Sequence, residues 1–346
     1  MQKTMQAIVK SRPSAGIELR EMPIPEIGPR EALIKVRATS ICGTDLHILH
    51  WDTWSANRIK PPIVVGHEFC GDIVQIGKDV TQVKVGDFVS AESHIVDGTC
   101  DLCRTGNGHI CRNTKIIGVD RDGCFAEYIA MPAENLWIDP PDMPAEIAAL
   151  QENFGNAVHT ALATPLVARK ILMTGCGPVG LMTILVARAA GARSIYVTDV
   201  SEYRLKLAKK LGVNVTINAK TQNVREMVLK ETDGEGVDVL LEMSGAPSAI
   251  RDGFDLLKQG GVAVLLGLPG KAFEFDLGDL VILKGITVRG IAGRRLWETW
   301  YEARGLVRSG AVDLSLVITH KFKLAEFEKA FAVMESGESG KVVMVP

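Results

Sequence analysis

From Ala7 to Val36 the apolar residues come in short alternations, as in Ala32-Leu-Ile-Lys-Val-Arg37, broken by Pro23, Pro25, Gly28 and Pro29. A period of two with that punctuation predicts β-strands joined by turns. Residues 64–77 and 83–89 continue the style, with a turn expected at Gly86-Asp87, so the first 140 residues are expected to be mostly β. Around Pro140 to Pro144 the pattern changes, and residues 145–162, rich in alanine and leucine, predict a helix. A strand and helix alternation follows. Ile171-Leu-Met-Thr174, Ser194-Ile-Tyr-Val-Thr198 and the runs 213–217, 237–241 and 262–266 are separated by helical or polar segments. That order is the signature of a parallel sheet covered by helices. The last 50 residues revert to the earlier style, with strands at Lys321-Phe-Lys and 341–345 around a helix over 324–336. Pattern alone does not assign them to either half.

Bulk properties narrow the classes. At 346 residues the chain exceeds a single core, so two domains are expected, and 47% hydrophobic residues is ample for both interiors. A formal charge of −2 without a long Lys or Arg run argues against nucleic acid as a partner. The first ten residues hold no apolar core of signal length, and Arg188 interrupts the stretch from Gly180 to Gly191 long before it could cross a bilayer. A soluble protein is expected, with no membrane partner. Seven cysteines is an odd number, and three of them, Cys100, Cys103 and Cys111, stand at metal-like spacing, which suits a reducing cytoplasm.

Two motifs carry chemistry. Gly175-Cys-Gly-Pro-Val-Gly180 is a G-x-G-x-x-G between an expected strand and an expected helix. Its glycines allow a tight turn and close approach to a pyrophosphate, and Pro178 suits a first helical turn. Asp199 ends the next expected strand, 19 residues after Gly180, where an acid accepts ribose hydroxyls and repels a 2′-phosphate. NAD is therefore favoured over NADP, although Arg204 is a base that would serve a phosphate. The second motif joins Cys42-Gly-Thr-Asp-Leu-His47 to Gly66-His67-Glu68. Taken singly, Cys42 and His67 read as buried structural residues. Together with Glu68 they offer the thiolate, neutral imidazole and carboxylate that bind zinc and leave a position for water or substrate.

Gly66-His-Glu-x-x-Gly71, followed by Gly77 and Val80, resembles the signature of the zinc-containing medium-chain alcohol dehydrogenases, and the likeness runs along essentially the whole chain. Within that family it is similar to the threonine-oxidising members in Ser40-Ile-Cys-Gly-Thr-Asp-Leu-His47, Trp51-Asp-Thr-Trp54, Glu92-Ser-His-Ile95, Phe154-Gly-Asn-Ala-Val158 and Gly293-Arg-Arg-Leu-Trp-Glu-Thr-Trp-Tyr301. The resemblance implies an α/β protein. A GroES-like, mostly β catalytic domain (1–155 and 295–346) would clasp a doubly wound Rossmann domain (156–294), with the active site between them. It also implies NAD at Gly175, Gly177, Pro178, Val179, Gly180, Asp199, Arg204 and Leu266. Catalytic zinc would be held by Cys42 and His67, with Glu68 able to bind or release the metal and Glu152 as a further acidic ligand. Thr44 and His47 match a proton relay that runs through the cofactor ribose. A homotetramer is implied as well.

The substrate implied is L-threonine, oxidised at its secondary hydroxyl to 2-amino-3-ketobutyrate. With zinc, one thiolate and two carboxylates, the ligand shell carries a net negative charge that favours a substrate ammonium. Arg294 is then the candidate for the substrate carboxylate, its alternative being a cofactor or surface arginine. His94 is the candidate for discrimination. Polyols, 2,3-butanediol or another secondary alcohol form the competing reading, and a silent cofactor-binding relative the one from outside enzymes. Relatives carry a second, structural zinc on four cysteines spaced C-x2-C-x2-C-x7-C. Here Cys100, Cys103 and Cys111 keep their places but Asp97 stands first, which predicts a weaker, labile site or none. His50, His109, His159 and His320, and Cys70, Cys124 and Cys176, are given no role.

Overall fold

The computed structural model describes residues 3–346; Met1 and Gln2, with which the first expected domain begins, lie outside them. The chain falls into two units. The first comprises Met1–Asn153, Ile318–Ser336 and Lys341–Pro346, the second Phe154–Val317 and Gly337–Gly340. Residues 295–317, expected with the β-rich domain, lie in the second unit, where the turn Leu314–Val317 packs on the helix Pro178–Ala189.

The first unit is β-rich. Its largest sheet has seven strands, with Glu31–Ser40 at the centre between Phe69–Ile76 and Lys341–Val345. The central strand alternates only in its middle, where Lys35 and Arg37 are exposed between buried Ile34, Val36 and Ala38; towards its ends, Ala32-Leu-Ile34 and Ala38-Thr-Ser40, it is buried on both faces and needs no polar side. Phe125, Phe69, Ile73, Phe331 and Met344 fill the core against it. The C-terminal strand Lys341–Val345 pairs antiparallel with it, Val343 opposite Ser40 and Met344 opposite Thr39, which is why the last segment joins the first. A smaller sheet joins Thr4–Lys10 to Glu18–Pro23 and Ile63–Val64.

In the second unit six strands are all parallel. Their order is Val215–Asn218, Ser194–Asp199, Lys170–Thr174, Val237–Glu242, Leu257–Leu265, Thr287–Gly290. Sequence order therefore runs 3-2-1-4-5-6 across the sheet, the doubly wound dinucleotide-binding arrangement whose ligand crevice lies where the order reverses. The strand Lys170–Thr174 is buried throughout, as a parallel central strand must be. The expected single helix over 145–162 is two, Ala145–Ala148 and Gln151–Leu162. Among the described residues no helix is long and apolar enough to cross a membrane.

Candidate active site and metal centres

Cys42 is the N-cap of the helix Gly43–His50. Asp45, fully buried, accepts the Cys42 N–H through Oδ2 at 2.8 Å, so the turn that presents the thiol is closed by its own third residue. Gly66 has φ +90°, and a Cβ there would stand 2.1 Å from the Phe125 ring. Only glycine lets the chain turn past that ring and deliver His67 and Glu68 to the thiol. The ligand atoms of Cys42, His67 and Glu68 all lie within 4.8 Å of one another.

This set fits zinc on three grounds. Thiolate, imidazole and carboxylate are its preferred donors. Glu68 Oε1 is buried without a hydrogen-bond partner among the described residues, which is costly unless a cation or proton completes it. Third, burial opposes a charge on His67, yet Asp45, Cys42 and Glu152 outweigh it and hold the imidazole well above its ordinary pKa. The site therefore attracts positive charge. Asp45 Oδ1 faces His67 Nδ1 at 3.6 Å, and its own carboxyl is pushed up to about 6 by burial. Glu152 is buried too, but it is not one of the three mutually close donors; its Oε1 accepts the Ser93 hydroxyl at 2.5 Å. Glu68 Oε2 is engaged by Lys341 Nζ and by Ser40 Oγ.

Around these donors, Thr44 Oγ1 is 3.9 Å from Cys42 Sγ. His47 is exposed three residues further along the same helix. His94 is fixed by Glu92, whose Oε1 meets both its backbone N–H and its Nδ1 at 2.9 Å. The sequence reading missed several residues of this neighbourhood. Asp45 had a signal, an acid at the third position of a capping turn. Asn153, 3.8 Å from Cys42 Sγ, and Lys341, 273 residues from Glu68, had none.

The second metal-like set is also gathered: Asp97, Cys100, Cys103 and Cys111 lie within 4.8 Å of one another. Asp97 Oδ1 accepts the Thr99 and Cys100 N–H groups at 2.8 and 3.0 Å, and Oδ2 accepts Asn113 at 2.6 Å. These donors, Cys100 first, hold its carboxyl well below the usual range. Burial and the neighbouring thiols push Cys103 up to about 12.

In the second unit Gly175 takes φ +90° and Gly177 caps the helix that Pro178 begins. A Cβ on Gly180 would lie 2.3 Å from Gly175 O, while one on Gly177 would meet nothing among the described residues. Asp199 closes the loop, accepting the Cys176 N–H at 2.6 Å and the Ser201 N–H at 2.8 Å. Val179 lies in the first turn of that helix, and Leu266 follows the strand Leu257–Leu265 with its N–H on Glu242 O. Arg204 donates to Ser339 O at 3.2 Å. Arg294 is buried, with Nη1 3.3 Å from Asn156 Oδ1, and His159 Nδ1 holds Gly293 O at 2.9 Å. His159, given no role from sequence, thus pins the loop that carries Arg294.

Comparison with known proteins agrees with both halves. The family described as alcohol dehydrogenase GroES-like domain matches residues 28–141, and zinc-binding dehydrogenase matches 178–309. The chain is 51% identical to an L-threonine 3-dehydrogenase of Symbiobacterium thermophilum and 50% to that of Thermococcus kodakarensis, covering 100% of this chain and 99% of each relative. A crystal structure of a zinc-binding dehydrogenase from Sinorhizobium meliloti bound to NADP superposes with a TM-score of 0.91 at 30% identity, over 100% of both chains. The 2R,3R-butanediol dehydrogenase of Bacillus subtilis does so at 0.88 and 28%, over 99% of both. With such likeness over its full length and a donor set suited to the metal, the chain belongs to the zinc-containing medium-chain alcohol dehydrogenases, enzymes that work on small molecules with zinc and NAD.

Proposed function

We propose that the chain oxidises L-threonine at its secondary hydroxyl to 2-amino-3-ketobutyrate, with NAD as acceptor and zinc held by Cys42, His67 and Glu68. The observation that carries the reading is whole-length identity of about half to relatives named L-threonine 3-dehydrogenase, in a chain whose three donors converge with an unsatisfied buried oxygen. When bound, zinc supplies a Lewis acid that makes a hydroxyl proton easier to remove, and NAD supplies the hydride acceptor.

The chain's own residues do the rest. Thr44 and His47, three apart on one helical face, pass the substrate proton toward solvent. Asp45 orients His67 and favours its metal-facing nitrogen. Lys341 and Ser40 hold one oxygen of Glu68, which leaves the other for the ion. Glu152, steadied by Ser93, adds negative charge that suits a substrate ammonium. His94, aligned by Glu92, discriminates the substrate, and Arg294 receives its carboxylate. Asp199 at the end of its strand selects NAD over NADP. A β-rich catalytic domain and a dinucleotide-binding domain divide these tasks. Among the described residues no cysteine is in a disulfide, which suits a reducing cytoplasm; a homotetramer rests on the family resemblance.

NADH formation from threonine, other amino alcohols, sorbitol and 2,3-butanediol, before and after chelation, tests metal, cofactor and substrate together. Threonine should be turned over best and chelation should abolish the signal. A preference for the uncharged diols would move the assignment to the secondary-alcohol branch.

A further inference from the structure

A base at the end of a proton relay works only in the tautomer that leaves a lone pair facing the incoming proton. The ring of His47 is not left to choose. Its Nδ1 lies 2.6 Å from Asp52 Oδ2, while the other oxygen, Oδ1, accepts the Ser55 N–H at 3.0 Å and caps the helix Thr53–Arg58. One carboxylate thus serves two donors. The Asp52 carboxyl lies below its ordinary range: burial opposes this, but the Ser55 N–H and His47 outweigh it. An ionised carboxylate only accepts hydrogen bonds, so the proton between these groups sits on Nδ1.

The chain path enforces this meeting. Trp51 ends the Gly43–His50 helix with φ 56°, a left-handed conformation that a bulky residue adopts only when its surroundings hold it. Lys10 supplies the hold. Its Nζ stands 4.8 Å over the Trp51 ring and donates to Ile48 O at 2.7 Å, Gly16 O at 2.9 Å and Ser14 O at 2.6 Å. The chain then reverses, Asp52 N–H reaching His47 O at 3.4 Å, and residue 52 returns beside residue 47. Other charged groups on the neighbouring elements are engaged elsewhere. His50 meets Glu335 at 2.8 Å, Arg58 meets Asp120 at 2.6 Å, and Asp45 faces Cys42 and His67. Among the described residues only Asp52 forms an ion pair or hydrogen bond with the His47 ring; Trp54 stands 6.1 Å away, tilted 59°.

We propose that Asp52 is the positioning residue of the relay: it holds His47 with Nδ1 protonated and Nε2 bare to take the substrate-derived proton, and it steadies the imidazolium that forms. The proton arrives at Nε2 and leaves from Nε2 to water; the Nδ1 proton stays and nothing is oxidised at the ring. This rests on the reading of His47 as the outer base. With side chains 59% and 38% exposed, the pair adds little to stability, so its contribution is orientation.

Asp52→Asn in the full-length, zinc-loaded enzyme is the decisive variant. The amide oxygen still caps Ser55. Its N–H₂ group stands where Oδ2 stood and forces the proton of His47 onto Nε2, closing the relay. At pH 7 kcat/KM for threonine should fall roughly tenfold, and the loss should shrink at high pH, where solvent base replaces the relay. The ¹⁵N ring signals of His47, assigned by their loss in His47→Gln, should invert tautomer while the melting temperature stays put. Asp52→Ser keeps a cap but cannot reach the ring, and should fall between wild type and Asp52→Asn. An unchanged tautomer and pH profile in Asp52→Asn, with His47→Gln impaired, would overturn the positioning role and leave the relay standing. An unchanged profile in His47→Gln would overturn both.

Discussion

Among the buried polar residues, Asp139 shows how one group can couple stability to pH. It is almost fully buried, its Oδ1 accepts the Gln151 amide, and burial pushes its carboxyl up to about 7. In the unfolded chain the same group titrates near ~3.9. The folded state therefore keeps a proton that the unfolded state releases between these values. The stabilising contribution is full below the unfolded pKa and disappears as pH rises through the folded one. Asp139→Asn, neutral throughout, should gain on the wild type by on the order of 3 kcal/mol between pH 5 and pH 8. Urea unfolding at the two values checks it, and a constant difference would reject it. The residue types of the candidate metal centre were legible in the sequence because their chemistry is unusual. Asp139 was not, because nothing in Ile138-Asp-Pro-Pro reveals burial.

At the scale of elements, two glycines of the same loop differ in what a side chain would meet. Gly180 cannot accept a Cβ, since Gly175 O is 2.3 Å away, whereas Gly177 faces open space with an ordinary φ of −59°. Gly180→Ala should therefore lower stability by about 2 kcal/mol. Gly177→Ala should leave the melting temperature unchanged and raise KM for NAD roughly tenfold, because the close backbone approach to pyrophosphate is lost. If Gly177→Ala binds NAD as the wild type does, the loop is not the phosphate cradle. The strand, loop, helix and acid were readable because the motif is local and its context periodic. Helix breaks such as that between Ala148 and Gln151 were not, since no proline or glycine marks the junction Ala148-Ala-Leu-Gln151 and tertiary packing sets the division.

Over the whole molecule the open quantity is metal content. The Asp97, Cys100, Cys103 and Cys111 lobe has the gathered geometry of a zinc site, but Asp97 is already satisfied by two backbone amides and Asn113. A carboxylate so engaged is a poorer donor than a thiolate. After gentle dialysis the wild type should retain one zinc firmly per chain and lose much of the second, while Asp97→Cys should retain both. Two firmly held zincs in the wild type would contradict this.

Sequence by itself determined the two styles of chain, the parallel-sheet half, the glycine loop between its first strand and helix, and the residue types suited to zinc and NAD chemistry. These depend on periodicity and on side-chain chemistry, which survive without coordinates. Only the tertiary structure decided which distant groups meet: Lys341 with Glu68 across 273 residues, Ser93 with Glu152, and His47 with Asp52 around a left-handed Trp51. Burial and long-range pairing are set by how the strands and helices pack. No local pattern records them.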